Sequence, residues 1–282
     1  MKKYILVGVD DSPESRLALH WAVDAAKARG TAVRVVRAYL NEASRWPALG
    51  VEGYVSPPMP LDKFQDELDE AVRYARDRLG YDGGSGWLAD SDPSNAILVE
   101  AGQAEMVVVG TRSRNKVSAA VLGSVATAVA AKALCPVVVV RGERRSGPVV
   151  VGTDGSADSE DAIAFAFEEA ARTGEPLEVV HCWQPQAEHA LSIDSTEELL
   201  QNWLAESLEP YRDKYPTVKV RASVVEGRAS VRLIERSESA SLVVVGSRGR
   251  GGVTGLLLGS VSQSLLHHAD SPVAVVRHHQ ES

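Results

Sequence analysis

Short runs of apolar, mostly β-branched residues alternate along the chain with longer stretches whose apolar positions recur every three or four residues. In the first half the short runs are Tyr4–Val9, Val33–Tyr39, Trp87–Ala89, Met106–Gly110 and Val137–Arg141. In the second they are Val149–Thr153, Leu177–Trp183, Val218–Val225, Leu242–Gly246 and Val273–Arg277. A run such as Val107-Val108-Val109 is apolar on both faces, which predicts a strand held between two helix layers of a parallel sheet. Leu61–Leu79 gathers Phe64, Leu68, Ala71, Val72, Ala75 and Leu79 on one helical face. Glu197–Tyr211 does the same with Leu200, Trp203, Leu204 and Leu208. Ser12-Pro13 predicts an N-cap and first helical position for a helix through Leu17, Trp21 and Ala25. Repeated β-α-β units with right-handed crossovers predict an α/β fold with doubly wound, Rossmann-like parallel sheets.

The pattern occurs twice. Leu-Val-Gly-Val-Asp-Asp-Ser at 6–12 returns as Val-Val-Gly-Thr-Asp-Gly-Ser at 150–156. Met-Val-Val-Val-Gly-Thr-Arg-Ser at 106–113 returns as Leu-Val-Val-Val-Gly-Ser-Arg-Gly at 242–249, and Cys135-Pro136 through Arg141 as Ser271-Pro272 through Arg277. A period of this length is that of a domain and not of a solenoid repeat. Two tandem five-stranded domains are therefore expected, at 1–142 and 148–282, joined by a polar linker at 143–147. The connection Asn41–Pro60 is long and its counterpart Gln184–Thr196 shorter, so a lid and a partner surface both remain open for it.

Composition narrows the partners. A formal net charge of −8 argues against nucleic acid. No apolar run approaches the ~20 residues that span a bilayer, and Asp10 interrupts the first apolar stretch too early for a secretion signal. Two cysteines, Cys135 and Cys182, sit at non-equivalent places, which fits a reducing cytoplasm and no disulfide framework. His181 and the pairs His267-His268 and His278-His279 have neither a nucleophile nor a ligand cluster beside them, so neither a catalytic residue nor a metal site is assigned.

The chemistry-bearing segment runs Gly246-Ser-Arg-Gly249-Arg-Gly-Gly-Val-Thr-Gly-Leu-Leu-Leu-Gly259-Ser260, from a strand into a helix. Glycines allow close backbone approach, and the free N–H groups of a helix start attract anions. Gly152, Thr153 and Asp154 end the first strand of this half at the same sheet edge, where Asp154 can accept hydrogen bonds from a ribose hydroxyl or an adenine amine. The P-loop pattern is absent, and the dinucleotide fingerprint fails at Thr254. On these grounds alone, phosphate binding and a plain tight turn both stay open. Arg112 and Arg248, at equivalent loop positions, either reach phosphates or pair with acidic neighbours.

The spacing Gly246-x2-Gly249-x9-Gly259-Ser260 resembles the ATP-binding signature of the universal stress protein family, as do Asp154 and the Ser-Pro-Val start of the last strand. The resemblance implies two tandem domains of adenine nucleotide α-hydrolase-like fold, ATP bound with Mg²⁺ or Mn²⁺, and a regulatory role in stress response. By the same resemblance, Asp154 contacts adenosine, Cys182 offers its backbone to adenine, and Gly246 and Gly249 lie beside ribose and phosphates. Gly259, Ser260, Val261 and Ser262 then grip the triphosphate, and Arg248 stands among them. In the first half Asp10, Ala38, Gly110, Gly123 and Ser124 are retained, together with Arg112. Ser113 replaces the second glycine there, at about 1–2 kcal/mol if that position needs positive φ. Ala126 replaces Ser262, and Asn115, Lys116 and Ala119 replace Gly251, Gly252 and Gly255. The family's last strand mediates dimerisation, so Val137–Arg141 and Val273–Arg277 are expected to pair within the chain, or between chains in a homodimer, with an unidentified protein partner besides. Slow ATP hydrolysis or nucleotidyl transfer, and a nucleotide-free interaction module, are the alternative functions.

Overall fold

The computed structural model describes residues 4–40, 61–111, 122–142, 145–184, 193–251 and 257–278. The long connection 41–60 lies outside them. Among the described residues the first half is β1 (Tyr4–Val9), α1 (Pro13–Arg29), β2 (Ala32–Tyr39), α2 (Leu61–Leu79), β3 (Gly84–Asp90), α3 (Pro93–Ala101), β4 (Ala104–Gly110), α4 (Ser124–Lys132) and β5 (Val137–Val140). The second repeats the order: β6 (Val149–Thr153), α5 (Ala157–Thr173), β7 (Leu177–Trp183), α6 (Ile193–Lys214), β8 (Val220–Glu226), α7 (Ala229–Ser237), β9 (Leu242–Gly246), α8 (Ser260–His268) and β10 (Val273–Val276). All ten predicted strands form. The nine-residue helices α3 and α7 have no counterpart among the elements read from periodicity.

Local chemistry explains the helix ends. The Ser12 hydroxyl accepts from Ser15 N–H with Pro13 opening α1, and Gly30 ends it at φ 63°. Ser156 accepts from Ser159 N–H to open α5, and Gly174 ends it at φ 72°. Both helices are delimited by residues that satisfy orphan backbone groups.

The strands join into one ten-stranded sheet in the order β3-β2-β1-β4-β5-β10-β9-β6-β7-β8. Pairing is parallel within each half and antiparallel at the centre, where Val139, Val138 and Val137 face Val273, Ala274 and Val275. The last strands are edges only of their own halves; together they are the middle of the sheet, and β3 and β8 are its outer strands. Mutual pairing covers two wholly apolar edges that would otherwise template association with other chains. Helices α1, α2, α5 and α6 pack on one face and α3, α4, α7 and α8 on the other, each layer over a continuous apolar cluster that crosses both halves. Val108 faces one cluster and Val107 and Val109 the other, as the two-sided apolar run requires.

Two kinds of contact reinforce the seam. Arg141 Nη2 donates to the carbonyls of Leu266 (2.9 Å) and His267 (3.2 Å) at the end of α8, and Arg277 Nη2 donates to Ala131 O (2.6 Å) at the end of α4. Between α1 and α5, buried Arg29 donates through Nη2 to buried Glu169 and lies 3.2 Å from Glu105 through Nε. Burial, reinforced by nearby Arg172, lowers the Arg29 pKa to about 10 despite the attraction of Glu105.

Candidate functional site

In each half the strand order reverses between the first and fourth strands, and at that switch point the carboxyl ends of the strands leave a crevice. In the second half the crevice is a cavity of about 310 Å³. Gly152, Thr153, Asp154, Cys182, Gly246, Arg248, Gly249, Gly259, Ser260, Val261 and Ser262 all line it. The sequence pattern missed further walls: Ser159, Gly251 and the apolar Val180, Ala229, Leu233, Val245 and Leu258. Leu233 reaches the cavity because Gly152 has no side chain; a Cβ there would lie 2.6 Å from Leu233 Cδ1. A glycine inside an otherwise apolar strand was the available signal for that close approach. Gly8 and Ile97 repeat the arrangement, also at 2.6 Å.

The cavity therefore has two chemically distinct ends. Val180, Cys182, Leu233 and Val245 form an apolar end on the strands and α7. The glycine turn and the start of α8 form a polar one. The first hydrogen bond of α8 runs from Gln263 N–H to Gly259 O (3.0 Å), which leaves the N–H groups of Ser260, Val261 and Ser262 without an intrahelical acceptor. Gly259, the N-cap, contributes no side-chain bond, so these amides are not covered by a cap.

Two carboxylates hold the glycine turn from beneath. Asp154 Oδ2 accepts from Arg250 N–H (2.8 Å), while Oδ1 accepts from the N–H and hydroxyl of Ser156 (3.0 and 2.6 Å). Buried Asp158 Oδ2 accepts from Ser247 Oγ (2.6 Å) and Arg248 N–H (3.0 Å). Burial pushes the Asp154 carboxyl up, but the Ser156 hydroxyl and the Arg250 and Ser156 amides outweigh it and leave its pKa below the ordinary value.

Two of the loop glycines are required by sterics. Gly249 does not adopt positive φ, so the conditional strain argument for Ser113 does not apply to this backbone. Instead a Cβ at 249 would collide with Asp154 Oδ2. A Cβ at Gly246 would lie 2.9 Å from the Asp158 carbonyl carbon. Ser262, expected to donate toward a ligand, turns its hydroxyl to Gly259 O (2.9 Å) and Ser247 O (3.1 Å), so its single proton is engaged within the fold. The amides of Arg248, Arg250 and Gly259 are likewise engaged.

His181 does not line the cavity. Its buried Nδ1 donates to Thr153 O (2.9 Å), and its ring meets Trp203 edge-on at 5.0 Å. Burial lowers its pKa below the usual imidazole value, although the Thr153 contact works the other way.

The first half has a cavity of about 260 Å³ at the equivalent place, lined by Asp10, Ala38, Gly110, Gly123 and Ser124. Arg112 and Ser113 lie outside the described residues, as do Asn115, Lys116 and Ala119. Arg37 stands where His181 does and Glu67 where Trp203 does. An ion pair (Nη2 to Oε2, 2.7 Å) thus replaces an aromatic contact. Arg37 also donates to Ala38 O (2.9 Å) and lines the cavity, which makes its floor charged. Among the described residues no group of three or more His, Cys, Asp or Glu converges as a metal site. No described helix is long and apolar enough to cross a membrane.

Comparison with known proteins agrees with this architecture. The model of the universal stress protein family matches residues 1–141 and again 146–277. Universal stress protein Rv2005c of Mycobacterium tuberculosis is 36% identical over 294 residues, covering 97% of this chain and 96% of that protein. The crystal structure of a universal stress protein from Archaeoglobus fulgidus superposes with a TM-score of 0.68 at 18% identity, over 99% of this chain and 97% of that one. A shorter universal stress protein, solved in complex with cAMP, aligns with 47% of this chain and 98% of its own at 26% identity and a TM-score of 0.40. The chain belongs to the universal stress protein family, and carries the family's domain twice.

Proposed function

We propose that the second half is an ATP-binding site and that the protein acts in stress response through nucleotide-dependent conformation or partner binding, without efficient turnover. One observation supports this: the residues nominated by the glycine spacing and the family resemblance line a single cavity with an apolar end for a base and a ring of uncovered amides for phosphates. The amides of Ser260, Val261 and Ser262 bind the phosphates, and the exposed guanidinium of Arg248 adds charge at the same end. Asp154, already holding Arg250 N–H, keeps free lone pairs for a ribose hydroxyl. A divalent ion arrives with the triphosphate and needs few protein ligands of its own. The first cavity, with Arg37 in its wall, is the weaker site.

Calorimetric titration with ATP and Mg²⁺, together with mass spectrometry of small molecules released from purified protein, tests the proposal. One tight site per chain, lost in Gly249→Ser, is expected. No bound nucleotide and no heat of binding would overturn it.

A further inference from the structure

The helix that presents its amides to the second-half cavity is held at its other end by the first half. Helix α8 is nine residues long, about 13 Å. No side chain caps its start, because Gly259 occupies the N-cap. At its finish, Arg141 from beyond β5 donates to the carbonyls of Leu266 and His267. Those carbonyls belong to the last turn, where backbone acceptors lack intrahelical donors. The mirror contact exists too: Arg277 donates to Ala131 O, and Ala131 holds in α4 the place that His267 holds in α8. Arg277 also reaches Leu257 O (3.2 Å), beside the turn that leads into α8.

We propose that Arg141 is a positioning residue for the phosphate end of the second-half site, so that each half completes the other's anion-binding helix. This rests on the nucleotide reading of the cavity. A guanidinium on the last carbonyls does two things at once. It fixes the axial position of a short helix whose start is joined to the turn through Ser247 O, by the Gly259 amide (2.7 Å) and the Ser262 hydroxyl (3.1 Å), and whose far half packs through Leu265 and Leu266. It also opposes the negative end of the helix dipole, leaving the positive end to act on an anion. The apolar end of the cavity is built from β7, β9 and α7, whereas Arg141 bonds the carbonyls that end α8, so the effect is expected at the phosphates.

The test compares ATP with Mg²⁺ and adenosine, titrated calorimetrically into the full chain and its Arg141→Gln and Arg141→Lys variants. Amide hydrogen exchange of residues 260–263 is followed in parallel without nucleotide. In Arg141→Gln, ATP affinity is expected to fall about 3- to 10-fold. Adenosine affinity should stay level, exchange at the start of α8 should quicken, and Arg141→Lys should recover most of the loss. Unchanged ATP affinity with unchanged exchange would overturn the positioning role. So would equal losses for ATP and adenosine, the mark of a loosened seam. If the unmodified chain takes up neither ligand, the nucleotide proposal itself fails, and the exchange rates alone decide whether Arg141 orders the start of α8.

Discussion

Gly249 and Asp154 lie so close that Asp154 Oδ2 occupies the space a Cβ on residue 249 would need. The contact joins the glycine turn to the end of β6, and the next amide, Arg250 N–H, completes it with a 2.8 Å hydrogen bond. Any side chain at 249 must separate the turn from the carboxylate, by moving one or the other. Gly249→Ser is expected to weaken ATP binding at least tenfold and to cost about 1–2 kcal/mol of stability through the lost charged hydrogen bond. Titration calorimetry and urea unfolding measure the two effects separately.

Asp154 and His181 also set an acid limit. The folded pKa of Asp154 is depressed, so its contribution to stability is complete above the ordinary carboxylate value and is lost as pH falls through that value toward the folded one. The folded pKa of His181 is depressed as well, so the unfolded chain binds the proton first and stability declines as pH drops below about 6.5. Urea midpoints recorded from pH 7.5 to 4 should therefore fall in the acid range. Asp154→Asn should be destabilised near neutrality, with the gap to the parent closing below pH 4. His181→Phe should flatten the slope between pH 6.5 and 5.

How far the sequence foretold this depends on whether a feature is local. Continuous valine runs and the Ser12 cap act within a few residues, and each formed where the pattern placed it. Interactions between distant segments left no such trace. Asp158 reads as an ordinary first-turn acid, yet it is buried against Ser247 and Arg248 from beyond β9. The change from Arg37 and Glu67 to His181 and Trp203 is coordinated across a strand and a helix, which single positions do not reveal. Ser262 has the residue type for ligand contact, but its rotamer is set by two carbonyls that only the closed turn brings near. Arg141 and Arg277 read as strand ends until the antiparallel seam aims them at the opposite half.

The two cysteines should differ in reactivity. Burial pushes the Cys135 thiol up to about 11, and it lies behind the apolar layer under α3 and α4. Cys182 is also raised by burial, but Arg236 and Arg232 partly offset this and the residue lines the cavity. Alkylation by iodoacetamide at pH 8, followed by peptide mass spectrometry, should label Cys182 first. Saturating ATP should slow that labelling several-fold and leave Cys135 unaffected, whereas equal protection of both would point to general tightening of the fold.

Arg29 and Glu169 test what the seam contributes to stability. Both side chains are 4% exposed, and they belong to opposite halves. Removing one member of a buried pair strands the other charge. Glu169→Gln is therefore expected to cost about 2–4 kcal/mol, moderated because Glu105 remains 3.2 Å from Arg29 Nε. Replacing both, as Arg29→Leu with Glu169→Leu, removes the desolvation cost along with the attraction and should be less damaging than the single change. A double-mutant cycle from urea unfolding gives the coupling directly. A coupling near zero would assign cohesion of the halves to the valine seam, the apolar clusters that cross it and the Arg141 and Arg277 contacts.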